Sequence, residues 1–416
     1  MYHISTKTTA EDLKFDVAAP TGWAFAAGDT IIGNLVRSAE IVAPEATVKI
    51  DLIGRIRSQM TEGHSENKKT YEDDRDLFDS QETVLYHGPL HLPAGSDERL
   101  NWEFSVKIPS ELNKNPELDY ATVGSLLSTT DSDRPDPSIL PPTFESSGLP
   151  GYKSSRTTIK YYLKASLNHR SGKSSKIHEI TWPVKIRYSS PPTTAQSQIQ
   201  QALPSETKVQ SQRLLPGMQN AQLSLHDKTR KLFRSSKVPG FHFKMNASWP
   251  MAIRFDDPEP IPITVQFESL PEKTSAEIKD VPQEIRIDSI KILLCSRAML
   301  RIKSRLSSTS FHSDCHVKSA DLGLNKVLSL LENPMTVLTG KGNEPLHLGN
   351  MFHLILHEYG MTSGNTRLYP MRPLYPDFVT HGIRHTNSLE LQITVNIAGE
   401  SVTATASSPV KILSAE

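Results

Sequence analysis

Two short stretches carry the side-chain types that bind metals. HSDCH supplies His312, Cys315 and His316, and HLILHE supplies His353, His357 and Glu358. On a strand, positions four apart share a face, so His353 and His357 could reach one ion, although Ile355 lies between them on that face. Neither set has the ligand spacing of a structural zinc site, and a chain with 15 histidines makes close pairs by chance. The expectation is structural histidines, no metal and no cofactor. The motifs of nucleophilic and phosphate chemistry are missing too: no GxSxG elbow, no GxxxxGK loop with a following Ser or Thr, no GxGxxG after a strand and no HExxH. No enzyme is expected.

Recognition chemistry is better represented. In LPGY, Leu149, Pro150 and Tyr152 fall in a Gly/Ser-rich connection where a polyproline-like turn can meet an aromatic groove, while the Pro-Gly pair is equally a turn signal. LHDKTRKLFRSSK sets Lys228, Arg230, Lys231, Arg234 and Lys237 around Leu232 and Phe233. That composition suits an anionic lipid or phosphate surface, and it also suits a solvated segment. CSRAMLRIKSR places Arg297, Arg301, Lys303 and Arg305 on one strand face opposite Ala298, Leu300 and Ile302, first of all a solvent face. The whole chain balances 46 basic against 46 acidic residues, so no global field draws in nucleic acid, and no aromatics interleave the charges of CSRAMLRIKSR to stack on bases. Nucleic acid is not an expected partner.

These residues must be carried by strands. Apolar residues recur mostly at period two, as in Leu389, Leu391, Ile393, Val395 and Ile397, or Trp102, Phe104, Val106 and Ile108, with polar residues between. The chain reads as all-β. It also repeats itself. FESSGLPGYKSSRTTIKYYLKASL, from Phe144, is followed by WPVKIRY; FVTHGIRHTNSLELQITVNI, from Phe378, is followed by SPVKIL. Between them SSPPTTAQSQIQQALPSETKVQSQRLLPGMQNAQ is rich in Ser, Pro and Gln and reads as a linker. The expected organisation is two tandem immunoglobulin-like antiparallel β-sandwiches, residues 1–190 and 241–416, joined by a flexible linker at 191–240 whose end is basic and amphipathic. With 37% hydrophobic residues, no apolar N-terminal run and only Cys295 and Cys315, a soluble intracellular protein with reduced thiols is expected.

GDTIIGNLVRSAEIVAPEATVKIDLIGRIR (Gly28 to Arg57), WEFSVKIP (Trp102 to Pro109), LPPTFE (Leu140 to Glu145) before YYL, and PDFVTHGI before LELQITVNI occur in the order seen in arrestin-fold proteins. The chain resembles the fungal and α-arrestin branch, from about Gly28 to Ile412. The resemblance implies arrestin-like N- and C-terminal sandwiches. It also implies a non-enzymatic cytoplasmic adaptor that links membrane-protein cargo tails to endocytic trafficking, ubiquitination or signalling machinery, with recruitment to the plasma membrane or endosomes. The alternative is a structural subunit of a membrane-sorting coat with the same fold. The Pro-Pro-x-Tyr segments by which many such proteins hold ubiquitin ligases are missing, and Leu149, Pro150 and Tyr152 are the nearest substitute for binding a WW-domain ligase.

If the segment from Leu225 to Lys237 docks on anionic membrane, each Lys or Arg adds on the order of 1 kcal/mol of attraction to acidic lipid. Replacing Lys228, Arg230, Lys231, Arg234 and Lys237 with Gln is then expected to release the protein from acidic liposomes in a sedimentation assay at low salt. Wild-type protein that ignores such liposomes would end the idea.

Overall fold

Runs of alternating apolar and polar residues become strands because each buries one face of a pleat and wets the other. In the computed structural model the described residues are 6–9, 13–63, 68–112, 138–148, 153–171, 174–189, 198–219, 238–303, 311–339, 344–368, 373–380 and 382–415. The chain divides into two compact units. The first holds Met1–Ser190, Ala298–His316 and Phe378–His385, and the second holds Pro191–Arg297, Val317–Asp377 and Thr386–Glu416.

The first unit opens with β1 (Thr6–Thr9), β2 (Leu13–Val17), β3 (Ala24–Phe25), β4 (Thr30–Arg37), β5 (Ile41–Glu62) and β6 (Lys69–Asp76). It continues with β7 (Thr83–Leu92), β8 (Leu100–Lys107), β9 (Phe144–Ser147), β10 (Lys153–Ser171) and β11 (Ser174–Ile186). Its larger sheet runs β1–β11–β10–β5–β6, with β3 on β11, β7 on β5 and β9 on β10. A second sheet has the order β2–β4–β8. One apolar cluster takes Leu13, Leu35 and Trp102 from the smaller sheet and Val48, Leu90, Ala165 and Leu167 from the larger. This is the two-layer arrangement of a β-sandwich, in which each buried aliphatic side chain contributes about 1.5–3 kcal/mol.

The remaining strands are β12 (Ile199–Gln201), β13 (Leu203–Pro204), β14 (Glu206–Gln210), β15 (Gly240–Pro250), β16 (Ala252–Arg254), β17 (Thr264–Ser269) and β18 (Glu284–Lys303). After these come β19 (Phe311–Asp321), β20 (Met335–Leu338), β21 (Leu346–His347), β22 (Leu354–His357), β23 (Gly360–Ser363) and β24 (Thr366–Arg367). The last three are β25 (Phe378–Val379), β26 (Ile383–Ile397) and β27 (Glu400–Leu413). Two one-turn helices, α1 (Asn325–Leu328) and α2 (Leu348–Met351), interrupt this part of the chain. In the second unit β15 pairs with β12, β14 and β17, and β27 pairs with β26. Phe241, Phe243, Trp249 and Phe267 from β15 and β17 share one core with Leu389, Leu391, Ile393, Val395 and Ile397 of β26.

The repeated stretches occupy matching places in the strand pairing. β10 and β11 are antiparallel, and the PVKI end of β11 then pairs in parallel with β3, Ile186 opposite Phe25. β26 and β27 are antiparallel as well, and the PVKI end of β27 pairs in parallel with β16, Ile412 opposite Ile253. Short strands starting at Phe144 and Phe378 pair onto β10 and β26 respectively.

Two features differ from the sequence expectation. The stretch expected as a linker carries β12, β13, β14 and a 3-10 turn at Gln212–Leu214, with Ala202, Val209 and Leu214 buried in the second core. These strands are two to five residues long and show no apolar face of their own. Ladder bonds to β15 and β27 order them, and sequence periodicity cannot register such partners. Residues 220–237 lie outside the described residues. The other difference is that 298–316 and 378–385 group with the first unit, although they follow the second sandwich's expected boundary in the chain.

Gly349 of α2 shows how closely the second unit packs. A Cβ there would fall 1.6 Å from the Ile261 carbonyl oxygen, and its own amide donates to the Ile263 carbonyl at 3.3 Å. Gly349→Ala is therefore expected to lower stability by about 3 kcal/mol, the upper end for overpacking, because a backbone group and not a flexible side chain must move. Chemical denaturation checks this, and a loss below about 1 kcal/mol would mean that the turn relaxes freely.

Candidate functional site

Each copy of PVKI ends on an isoleucine whose amide has outrun the antiparallel ladder. The last antiparallel pair is Tyr161 with Val184 in one copy and Asn387 with Val410 in the other. A buried amide left without an acceptor costs about 1–3 kcal/mol. Both copies answer it in the same way. Ile186 N–H donates to Thr143 Oγ1 at 2.9 Å while Thr143 N–H donates to the Ile186 carbonyl at 2.9 Å. Ile412 N–H donates to Asp377 Oδ1 at 3.0 Å while Asp377 N–H donates to the Ile412 carbonyl at 2.9 Å. Thr143 and Asp377 each precede the phenylalanine that opens a short strand. The match extends further inward. Tyr161 Oη donates to the Pro141 carbonyl at 2.7 Å, and Asn387 Nδ2 donates to the Tyr375 carbonyl at 3.1 Å, in each case two residues before the pin.

The two pins differ in charge. Thr143 offers a neutral hydroxyl. Asp377 is a buried carboxylate that accepts two more bonds from Asn387, from Nδ2 to Oδ1 at 2.6 Å and from the backbone N–H to Oδ2 at 3.3 Å. Burial pushes this carboxyl up to about 7, against the opposite pull of the Asn387 and Ile412 donors and of Lys411. The node can thus take up or release a proton near neutral pH. Just beyond it, within the first unit, Phe378 meets Phe144 edge-on at 5.0 Å between centroids, stacks on His385 at 5.6 Å and lies 6.5 Å from Tyr188.

A second polar line joins a carboxylate, an imidazole and a hydroxyl. His357 Nδ1 lies 2.5 Å from Asp256 Oδ1, and His357 Nε2 lies 3.0 Å from Thr362 Oγ1. Asp256 holds a left-handed backbone, φ 58°, to reach the ring. Thr362 sits in a closed hairpin, opposite Ile355 on one side and Arg367 on the other, so its neighbouring backbone is committed to ladder bonds. The line pins β22 to the preceding loop. His353 does not join it, because it leaves the strand at φ 45° and is exposed. In the first unit His169 and His178 stack at 5.3 Å with their Nε2 atoms 3.3 Å apart, and burial, then His178, Arg37 and Lys176, push His169 below the usual imidazole range.

Leu149, Pro150 and Tyr152 lie outside the described residues, as do Lys228, Arg230, Lys231, Arg234 and Lys237. The first three belong to the connection between β9 and β10, and the basic residues to the connection between the 3-10 turn and β15. Of the HSDCH set, Cys315 is an exposed position of β19, and no disulfide joins it to Cys295. On β18 Arg297 is exposed and Arg301 half-buried, alternating with buried Ala298, Leu300 and Ile302. Among the described residues no three His, Cys, Asp or Glu side chains gather as a metal set, and no helix is long and apolar enough to cross a membrane. The Asp377 node was not among the sequence candidates. Its signal was a small polar residue standing before the phenylalanine of each repeat, in PTF and PDF.

No family model matches the chain, and no curated protein matches it.

The Asp377 carboxyl makes a pH prediction with a definite sign. Its folded value, about 7, lies above the unfolded aspartate value of about 3.9, so the native state holds the extra proton between them. The stability it contributes is complete below about pH 4 and is lost as pH rises through about 7. Asp377→Asn lacks this term. The difference in unfolding free energy between wild type and the variant should therefore shrink as pH rises across that window, and a difference constant with pH would overturn the assignment.

Proposed function

We propose that this chain is a non-enzymatic adaptor of the arrestin type, working in the cytoplasm to connect membrane-protein cargo tails with endocytic trafficking, ubiquitination or signalling machinery. One observation carries the reading. The segments through which the sequence resembles that family, LPPTFE and PDFVTHGI, hold corresponding positions beside the two PVKI strands, and Phe144 and Phe378 from them are in direct contact. The all-β organisation in two compact units supports the same reading at the level of fold. In it, Leu149, Pro150 and Tyr152 would engage a WW-domain ubiquitin ligase. The basic run from Lys228 to Lys237 would hold the protein to acidic membrane at the plasma membrane or endosomes.

Affinity capture under mild conditions followed by mass spectrometry tests the proposal. The expected result is substoichiometric recovery of membrane-protein tails and a WW-domain ligase, with the ligase lost from Tyr152→Ala at an unchanged unfolding midpoint. Recovery in one fixed, stoichiometric assembly would replace the adaptor with a coat subunit. A Tyr152→Ala protein that melts early would make the tyrosine a loop anchor.

A further inference from the structure

Two histidines meet on the inner face of the first unit's larger sheet. β10 and β11 close on one another until Ser171 lies opposite Ser174, and just inside that pair His169 is registered opposite Lys176 and His178 opposite Leu167. The two imidazoles are therefore diagonal neighbours on one face, within reach of each other across the ladder. Their rings are near parallel, 13° apart, with Nε2 to Nε2 at 3.3 Å. Only one N–H fits between two such atoms, so one ring donates, the other accepts, and the two cannot both be charged while they touch. On its other side His178 is registered opposite Thr8 of β1, a four-residue strand at the end of the sheet whose strand partner among the described residues is β11.

The surroundings of the pair disfavour a further proton. His169 is 8% exposed, and burial is the largest penalty on its cation. His178, the Arg37 guanidinium from β4 and the Lys176 ammonium directly opposite on β11 add to it in turn. The Arg170 backbone, which favours the cation, makes no hydrogen bond to the buried His169 Nδ1. No carboxylate among the described residues pulls His169 the same way. His169 lies opposite Ala46 of β5 and His178 opposite Leu167, both part of the apolar cluster that takes in Leu13 of β2, Leu90 of β7 and Trp102 of β8. The nearest acids along β5 and β11, Glu45 and Glu179, alternate onto the opposite face, where they hold Arg170 at 3.6 Å and Lys164 at 3.0 Å.

We propose that the contact between His169 and His178 is an acid-sensitive latch, which holds β1 on β11 while both rings are neutral and lets it go when the pair takes up a proton. The added charge lies beside Arg37 and Lys176 with no carboxylate facing it, and the rings relieve it by parting and turning to water. His178 carries the register of β11 against Thr8, so β1 loses its support first, and four ladder pairs at a sheet edge belong to the low-stability end of a fold. His169 is held below the unfolded imidazole value of about 6.5, so between the two values the unfolded state binds more protons. Its contribution is complete above about pH 6.5 and is lost as pH falls through the folded value, the reverse of Asp377 in the second unit. The latch requires only this sheet and is independent of the adaptor reading.

Hydrogen exchange on the full chain, read by mass spectrometry at about pH 7.5 and about pH 5.5 and corrected for the intrinsic pH dependence of exchange, tests it. Protection of the amides of β1 and of the paired end of β11 should fall about threefold or more at the lower pH, while that of β2, β4 and β8 stays unchanged. The double variant His169→Gln, His178→Gln can still share a hydrogen bond but takes up no proton, and it should keep the same protection at both pH values. Lys176→Glu reverses a charge at an exposed position and gives the imidazolium a partner, so it should lessen the acid loss. A merely structural pair would not respond to that reversal, and it supplies the test if the double variant fails to fold. No acid loss in wild type, the same loss in the double variant, a loss spread equally over the first unit's strands, or a loss unchanged in Lys176→Glu would each overturn the proposal.

Discussion

The amide of an isoleucine at the end of a long strand is the constraint around which both halves of this protein close. At Ile186 and at Ile412 the antiparallel neighbour has already turned away, and the strand passes to a short parallel partner. The unpaired end of the ladder is buried, so water cannot satisfy it. A side chain from a distant segment must do so, and whichever segment supplies it is fixed in place by two reciprocal bonds. Thr143 and Asp377 are those side chains. The phenylalanine that follows each is therefore delivered to a defined position, and the short strand it begins is set in register with β10 or β26.

The choice of threonine in one copy and aspartate in the other has energetic consequences. A hydroxyl meets the amide at little desolvation cost, whereas a carboxylate must be compensated for leaving water. Asn387 does this with two donors, and it stands where the first copy has Tyr161, whose hydroxyl reaches the equivalent carbonyl and nothing charged. The pair Asp377 and Asn387 is thus coupled: the acid demands an amide neighbour, and the amide also holds the Tyr375 carbonyl and accepts from Ser296 Oγ. Removing either partner alone leaves buried polar atoms unmatched, the costly half of an otherwise near-neutral exchange.

Surface strands are handled differently in different places. β6, at the end of the larger sheet of the first unit, carries acids paired with arginines of β5, and such exposed pairs add little stability. Their better-supported role is to make the edge a poor template for unrelated strands. The β2–β4–β8 face carries Asp16 and Glu103 without such partners among the described residues and leaves Ile32 exposed.

Much of the fold was legible in the residue order. Alternation at Leu389 to Ile397, or at Trp102 to Ile108, dictates strands with one buried face, because side-chain direction is set by the backbone alone. The repeat of PVKI after a long alternating strand was legible too, and the two copies do share their pairing. The short strands of residues 199–210 were not, since two to five residues cannot carry a period and depend on partners about forty and two hundred residues away. Nor was the Asp377 node, although Asp377, Asn387 and Ile412 are all plain in the sequence. A carboxyl's ionisation answers to its burial and to the donors around it, and only the tertiary structure decides which amides, from which distant strands, point at one oxygen.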